Sequence, residues 1–428
     1  MPEEEHPVVL EGKRPDVLEE KRRAVIIGIN EYEDKGIQPL KGAENDAKEI
    51  YERLKDPNIG GFEIPKSHFL LGEEATYKAT RKAISDLFWK TNPSDLALFY
   101  FSGHGFVDSY EDGYIAPYDM SKDEPFVCGI NMEQIKQVIS RSHKYNKCVI
   151  MILDCCFSGI ATKGDFKKKF DERIKDLSGE GTIVLSSSEA DNVSREISFT
   201  HQNGQEHNHG AFTACLIEGL DGQASDDESG IITLDKLHKH VEKRIAEMEG
   251  KQKPNLYVAE GFGISSIRMA VAPQKYYANI QMKIEEAERY FLTGIPLDLM
   301  DAANRISEVM KISTKNEKAL DLKKKIRETL IEYKSDVTNW LIENEAEEDC
   351  RPIRSVFPEL QILTNNLDFD KIIAISDTRK KAFLGNLCRV SKKLLDKNIF
   401  IDLCKKYYSS PSTQRPTAGG PTVGHLNN

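Results

Sequence analysis

Short apolar runs alternate with longer amphipathic segments along residues 21–268. A short continuous apolar run is typical of a strand buried on both faces, whereas apolar residues three and four positions apart are typical of a helix. Strands that alternate with helices form a mainly parallel sheet with helices on both faces. The sequence therefore predicts an α/β domain around a six-stranded sheet. Its strands are predicted at Arg23–Ile29, Ser67–Leu71, Leu96–Phe101, Val149–Leu153, Thr182–Ser186 and Asn255–Val258. The predicted helices lie at Ala43–Leu54, Thr76–Trp89, Met132–Ser140, Ala211–Leu220 and Leu234–Met248.

The pattern changes near Pro273, beyond which convincing strand-like runs end. Apolar residues such as Ile284, Ala287 and Phe291 then recur at helical spacing, which predicts an all-helical domain. The end of the chain is rich in Pro, Gly, Ser and Thr, a composition typical of disorder. The predicted organisation is a solvated leader at 1–20, the α/β domain at 21–268, the helical domain at 275–408 and a disordered tail at 409–428.

The composition argues against several classes of protein. Asp and Glu number 69 against 59 Lys and Arg, and a net charge of −10 disfavours binding to nucleic acid. No apolar run approaches the roughly 20 residues of a membrane-spanning helix, and the acidic start of the chain lacks the apolar core of a signal peptide. The eight cysteines form neither a disulfide framework nor a zinc-binding pattern. We therefore expect a cytoplasmic protein with reduced thiols and with neither nucleic acid nor membrane as a partner.

Two segments that follow predicted buried strands carry a histidine and a cysteine. They are Phe101–Gly105, with the sequence FSGHG, and Asp154–Gly159, with the sequence DCCFSG. The carboxyl ends of parallel strands form the edge at which α/β proteins build their sites. On neighbouring strands, His104 would act as the base for the thiol of Cys156, since a free thiol with a pKa of about 8.5 holds little thiolate at neutral pH. The backbone N–H groups of Gly105 and Cys156 would form an oxyanion hole. The alternative is a buried structural cysteine and a histidine in a turn.

These two segments resemble the catalytic segments of the caspase clan, and especially those of metacaspases and their prokaryotic relatives, the orthocaspases. The resemblance covers residues 20–265 and implies a caspase-like fold and a cysteine endopeptidase that needs no cofactor for its chemistry. It implies that Cys156 is the nucleophile, that His104 is the base and that Cys155 is a variable position. The other matching segments are Gly28–Asn30, Leu40–Gly42 with Asn45 and Asp46, Tyr114–Pro117, Ser186–Ser188 and Gly210–Thr213.

The resemblance also implies a pocket for the substrate residue before the cleaved bond, lined by Asp46, Ser102 and Asp154. Two carboxylates that face one cavity repel each other, and a substrate Arg or Lys between them relieves that repulsion. Arg adds paired charge-assisted hydrogen bonds. We therefore predict cleavage after Arg or Lys, and not after Asp. The alternatives are that Asp46 only stabilises a helix N-terminus and that Asp154 is a structural residue at a strand end.

Two further segments are assigned roles through the resemblance. Ser186, Ser187 and Ser188 match the substrate-binding strand, along which an extended peptide would pair, and a plain hairpin or loop is the alternative. The basic connection before the fifth predicted strand matches the place where relatives are cut by themselves, and a solvated charged face is the alternative. Its candidate cleavage positions are Lys163, Lys167, Lys168, Lys169, Arg173 and Lys175.

Calcium is the one metal that the resemblance implies, as an activator outside the active site. Asp119, Glu133 and Asp165 lie near the calcium-binding positions of many metacaspases, although the usual acidic pair is reduced here to Asn131–Glu133, with the sequence NME. Calcium takes about six to eight oxygen ligands, more than these residues supply. A local histidine cluster lacks the cysteine or acid of a standard zinc site and is predicted to be a polar loop. It consists of His201, His207 and His209.

The hypothesis that unites these observations is an Arg- or Lys-directed cysteine endopeptidase with a helical regulatory or docking domain. Its partners would be protein substrates and an upstream activator that binds the helical domain. The resemblance to prokaryotic caspase-like proteins implies an effector role in cell death, stress or antiviral defence. The alternative is an adaptor in which the helical domain binds partners and the α/β domain is a regulatory scaffold.

Overall fold

The structure is a computed structural model in which the chain divides into two units, Met1–Asn279 and Ile280–Asn428. The predicted disordered tail and all but the last residue of the predicted leader lie outside the described part of the chain. The described residues are 20–92, 94–142, 148–156, 164–178, 181–187, 196–200, 206–248, 254–258, 263–293 and 296–329.

The described strands of the first unit form one large sheet and two separate antiparallel pairs. They are β1 (Arg22–Gly28), β2 (Phe69–Leu71), β3 (Leu96–Val107), β4 (Gly113–Ile115), β5 (Ile130–Asn131), β6 (Cys148–Cys156), β7 (Thr182–Ser186), β8 (Glu196–Thr200), β9 (Glu206–Gly210), β10 (Ile231–Thr233), β11 (Asn255–Tyr257) and β12 (Arg268–Val271). The helices are α1 (Ala43–Lys55), α2 (Tyr77–Lys90), α3 (Pro125–Cys128), α4 (Met132–Ser142), α5 (Gly164–Leu177), α6 (Ala211–Glu218), α7 (Leu234–Glu247), α8 (Pro273–Leu292) and α9 (Pro296–Ile312).

The large sheet is built on six strands in the order β11-β7-β6-β3-β1-β2. All neighbours along this path are parallel except β11, which runs antiparallel to β7 at one edge. The predicted six-stranded, mainly parallel sheet is therefore confirmed. The strand β3 runs on past the parallel ladder, and its end pairs antiparallel with β4, which in turn pairs with β5.

Alternate residues of the central strands face two separate hydrophobic clusters, one on each side of the sheet. On β3, Ala97, Phe99 and Phe101 join the cluster covered by α2, α4 and α5, while Leu98 and Tyr100 join the cluster covered by α1, α6 and α7. Because both faces of a central strand are buried, its sequence is continuously apolar, which is the pattern that predicted these strands.

Side-chain caps define the starts of two helices close to the predicted positions. The Thr76 hydroxyl accepts a hydrogen bond from the Ala79 N–H at the start of α2, and Thr233 caps α7 in the same way through Lys236. The pairs β8–β9 and β10–β12 and the short strands β4 and β5 were not predicted. Strands this short stand out only where they form a continuous apolar run, and the strands β8 and β9 contain polar residues such as Glu196 and Asn208.

Arg22, at the start of β1, is buried with no exposed surface. Its guanidinium donates to the carbonyl oxygens of Gly60 at 2.7 Å and Met269 at 3.0 Å, and also to the carbonyl oxygen of Arg268. It pairs with Glu20 as well. The hydrogen bonds to Arg268 and Met269 connect the start of β1 to the strand β12.

The described residues of the second unit are helical, as predicted. They form the later part of α8, α9 and a helix over 317–329. Ile284 and Ala287 of α8 and Ala302, Ile306 and Val309 of α9 are buried. Among the described residues, no helix is long and apolar enough to cross a membrane.

Candidate active site

The pairing of β3 with β6 brings together the two segments that the sequence singled out. The register matches the Cα atoms of Ser102 with Asp154 and of His104 with Cys156. Neighbouring strands lie about 4.8 Å apart, so the histidine and cysteine backbones are adjacent at the carboxyl end of the sheet. Cys156 is described by its backbone only, because its side chain lies outside the described residues.

His104 is completely buried and is held by the loop between β1 and α1. Its Nε2 lies 2.7 Å from the carbonyl oxygen of Gln38. A carbonyl only accepts hydrogen bonds, so Nε2 carries the proton and Nδ1 is the basic nitrogen of the neutral ring. This tautomer suits a general base that acts through Nδ1.

Tyr32, in the same loop, contacts His104 in two ways. Its phenol oxygen accepts a hydrogen bond of 2.8 Å from the His104 N–H, and the two ring centroids are 5.3 Å apart. Tyr32 is itself buried. A buried tyrosine therefore fixes both the backbone and the ring of the histidine.

The predicted pocket residues are brought together at the same edge of the sheet. Gly28 has no Cβ, and a Cβ there would lie 2.4 Å from the carbonyl oxygen of Ala43, so the start of α1 packs tightly on β1. Asp46 in the first turn of α1 therefore lies near the end of β3. The Ser102 hydroxyl donates to Asp46 Oδ2 at 3.3 Å.

Asp46 and Asp154 flank one glycine, Gly210 at the end of β9. A methyl group on Gly210 would lie 2.8 Å from Asp154 Oδ2 and 3.3 Å from Asp46 Oδ2, so both carboxylates approach the same point. The Gly210 N–H donates to Asp46 Oδ2 at 3.3 Å. Both acids are buried. The structure thus forms an acidic pair, to which Ser102 is hydrogen-bonded.

The second acid is held by a hydrogen-bonded chain from β3 and α6. Thr213 Oγ1 donates to Asp154 Oδ2 at 2.7 Å, and Tyr100 Oη lies 2.8 Å from the same hydroxyl. Burial raises the pKa of Tyr100 well above its usual value, and the negative charges of Asp46 and Asp154 add to the shift. Tyr100 therefore remains protonated and donates to Thr213. Burial also raises the pKa of Asp154, while hydrogen bonds from Thr213 oppose that shift.

His209 directly precedes Gly210 and is one of the residues predicted to form a polar loop. That expectation was wrong for this residue, because His209 is only 1% exposed and its Nδ1 lies 2.8 Å from Asp46 Oδ1. His207 lies in β9 with its side chain outside the described residues, and His201 lies outside them altogether.

The predicted substrate-binding strand is only partly described. Ser186 is the last residue of β7 and is paired on both sides, with Leu153 of β6 and Asn255 of β11. The Ser187 N–H donates to the carbonyl oxygen of Leu153. Peptide pairing would therefore have to begin at Ser188, which lies outside the described residues.

The predicted autocleavage segment is a helix and not an open connection. Lys167, Lys168, Lys169, Arg173 and Lys175 lie in α5, and Lys163 lies outside the described residues. Peptidases bind extended backbone, so cleavage within α5 would require that helix to unwind. Lys169 forms an ion pair with the side chain of Glu111, and Arg173 donates a hydrogen bond to the backbone carbonyl oxygen of Glu111. These contacts favour the alternative of a charged helix surface.

Gly105 is the second residue predicted to contribute an N–H group to the oxyanion hole. Gly105 lies in β3 next to His104, opposite Ile115 of β4, and its role in an oxyanion hole stays a prediction.

Asp119 Oδ1 accepts a hydrogen bond from the Tyr77 N–H at the start of α2, and Glu133 lies in the first turn of α4. In the part of the chain that the structure describes, no three His, Cys, Asp or Glu side chains are grouped to hold a metal ion. The side chain of Asp165 lies outside that part, so calcium binding stays a prediction.

Sequence reasoning missed the residues that hold the two acids and the histidine. Thr213 belongs to a matching segment but was assigned no role, and Tyr100 was counted only as part of a buried strand. Gln38 acts through its backbone carbonyl, which no side-chain pattern reveals. For Tyr32 the only signal was its position two residues after Asn30, and His209 was singled out only as part of the histidine cluster.

A family model described as Caspase domain matches residues 21–260, more than half of the 428 residues. No curated protein matches the chain. Among solved structures, protein GSU0716 from Geobacter sulfurreducens is 17% identical, with a TM-score of 0.41 over 58% of this chain and 97% of that one. Pro-sf-caspase-1 is 11% identical, with a TM-score of 0.38 over 58% and 96% of the two chains. Caspase-1 from Spodoptera frugiperda is 13% identical, with a TM-score of 0.36 over 59% of this chain and 92% of that one.

Because the family model matches more than half of its residues, the chain belongs to the caspase-domain family of cysteine peptidases.

Proposed function

We propose that this protein is a cysteine endopeptidase that cleaves after Arg or Lys, with Cys156 as nucleophile and His104 as base. The observation that carries the proposal is the β3–β6 register, which pairs His104 with Cys156 and Ser102 with Asp154. One ladder thus links the candidate catalytic residues with two of the three candidate pocket residues.

The chemistry follows from the tautomer of His104. Nδ1 takes the proton of the Cys156 thiol while the sulfur attacks the peptide carbonyl carbon. The N–H groups of Gly105 and Cys156 stabilise the oxygen anion of the tetrahedral intermediate. The imidazolium then returns its proton to the leaving amine as the C–N bond breaks and a thioester remains. Water, activated by the same imidazole, hydrolyses the thioester and regenerates the thiol.

Substrate preference follows from the acidic pair. Asp46 and Asp154 are both buried and approach one point beside Gly210, so a basic side chain inserted there meets two carboxylates. Each charge-assisted hydrogen bond to a carboxylate is worth about 1.5–3 kcal/mol. A substrate Asp at this position would instead add a third negative charge, which the pocket repels.

The test is cleavage of fluorogenic peptides with Arg, Lys or Asp before the cleaved bond, with and without calcium. We expect cleavage of the Arg and Lys peptides by the wild type and none by Cys156→Ala or His104→Ala. Cys155→Ala is the matched control and should retain activity. Activity on the Asp peptide alone, or activity that survives Cys156→Ala, would refute the proposal.

We also propose that the enzyme acts in the cytoplasm as an effector of cell death, stress or antiviral defence, with the helical unit binding an upstream activator. The support is the resemblance to prokaryotic caspase-like proteins. Expression of the wild type together with its activator should arrest growth, whereas Cys156→Ala should not. Equal growth arrest by both proteins would favour the adaptor role instead.

A further inference from the structure

Two residues at the end of the β8–β9 hairpin form hydrogen bonds with the two carboxylate oxygens of Asp46. His209 Nδ1 lies 2.8 Å from Oδ1, and the N–H of the next residue, Gly210, donates to Oδ2 at 3.3 Å. The hairpin thus presents two adjacent N–H donors to one carboxylate. A substrate guanidinium would present its own two N–H groups to a carboxylate with the same pairwise pattern.

The acidic pair is closed in this conformation. The Asp46 side chain is 2% exposed and Asp154 is 6% exposed. A basic side chain can reach Asp46 Oδ1 only if the imidazole of His209 moves away. The hairpin therefore occupies the position that the proposed substrate needs.

The imidazole is a weaker donor than the side chain that would replace it. Burial lowers the pKa of His209, Arg53 acts in the same direction, and Glu49 opposes the shift. The charged groups around the ring are thus Asp46, Glu49 and Arg53. Near neutral pH a neutral N–H of His209 bonds Asp46, and this bond lacks the attraction between opposite charges that a guanidinium or an ammonium adds.

We infer that His209 competes with the basic side chain of the substrate for Asp46 and thereby weakens the binding of Arg and Lys substrates alike. Either side chain must displace the imidazole before it reaches Asp46 Oδ1, so the cost of displacement is the same for both. Arg has two parallel donors and Lys a compact ammonium, so a preference between them comes from their own bonds to the pocket and not from His209. The inference rests on the proposed Arg/Lys specificity and adds what the substrate displaces when it binds.

The first test compares kcat and KM for Arg and Lys peptides in three proteins: the wild type, His209→Ala and His209→Asn. In His209→Ala we expect kcat/KM for the Arg and Lys peptides to rise about tenfold through KM, equivalent to about 1.4 kcal/mol. The Arg-to-Lys ratio should stay the same. His209→Asn keeps an N–H donor near the position of Nδ1 and should resemble the wild type.

Thermal melting establishes that each variant is folded. If His209→Ala does not fold, His209→Gln replaces it with the same expectation, because its amide lies nearer the position of Nε2. An unchanged KM for both peptides, or a KM that rises in a folded variant, would overturn the inference.

The second test separates this inference from the proposed function. Calorimetry measures binding of agmatine, a small guanidinium compound, to the intact chain with and without His209→Ala, and Asp46→Ala serves as the pocket control. Tighter binding to His209→Ala supports competition even if no peptide is cleaved, an outcome that would refute only the proposed function. Equal binding to both proteins refutes the inference even if Arg and Lys peptides are cleaved as proposed.

Discussion

Replacing Thr213 with valine tests whether the hydrogen-bonded chain behind Asp154 keeps that acid charged. Valine preserves the shape of threonine but removes the hydroxyl that donates to Asp154 Oδ2 at 2.7 Å and lies 2.8 Å from Tyr100 Oη. Thr213 is completely buried, so water does not replace the lost donor. Tyr100 retains a hydrogen bond with Ser102, so the loss falls mainly on Asp154.

The size of the effect follows from the lost bond. Asp154 keeps the hydrogen bond from the Thr213 N–H and loses the one from the hydroxyl, and a hydrogen bond to a charged group is worth about 1.5–3 kcal/mol. At about 2–4 °C per kcal/mol for a domain of this size, Thr213→Val should lower the melting temperature by several degrees. The pKa of Asp154 should rise further, because Thr213 hydrogen bonds oppose the upward shift that burial causes. In the variant, KM for an Arg peptide should therefore begin to rise at a higher pH as the solution is acidified.

The assay is a pH series of KM together with thermal melting, and Thr213→Ser is the matched control. Serine keeps the hydroxyl and loses only a methyl group, so its pH profile should match that of the wild type. If Thr213→Val and Thr213→Ser had the same pH profile, the hydroxyl would not control the ionisation of Asp154 and the reasoning would be wrong.

Three further predictions follow from the site. Because burial raises the pKa of Asp154, its charge destabilises the fold at neutral pH, and this penalty fades as the pH falls through the raised pKa toward the ordinary value of an aspartate. Asp154→Asn should therefore raise the melting temperature at pH 7 while weakening Arg cleavage, and its advantage should shrink in acid; an equal advantage at all pH values would contradict this. Tyr32→Phe removes the acceptor for the His104 N–H and should lower kcat about tenfold with little change in KM, as steady-state kinetics would reveal. Gly210→Ala puts a methyl group 2.8 Å from Asp154 Oδ2 and should raise KM for Arg peptides at least tenfold, and an unchanged KM would place the pocket elsewhere.

Much of the site was predictable because parallel strands expose their carboxyl ends at one edge. Once β3 and β6 were identified as buried strands, His104 and Asp154 had to lie at the same edge. The register that pairs His104 with Cys156 depends on how the two strands align, which neither apolar run specifies.

The helix α5 shows a signal that was present but overlooked. Phe166, Phe170, Ile174 and Leu177 recur at spacings of four, four and three, which is helical periodicity. The basic residues between them drew attention to the charge of the segment instead. By contrast, nothing in the sequence indicated that His209 is buried, since its placement depends on contact with Asp46, 163 positions earlier in the chain.

The buried anchor at Arg22 has a consequence for the timing of synthesis. Two of its acceptors, the carbonyl oxygens of Arg268 and Met269, leave the ribosome almost 250 residues after Arg22 does. Until they emerge, burying the start of β1 would leave a guanidinium short of partners, at a cost of several kcal/mol. We therefore predict that a nascent chain that already contains His104 and Cys156 has an unfinished central sheet, and that a ribosome stalled before Arg268 displays a protein whose candidate active site is not yet stable.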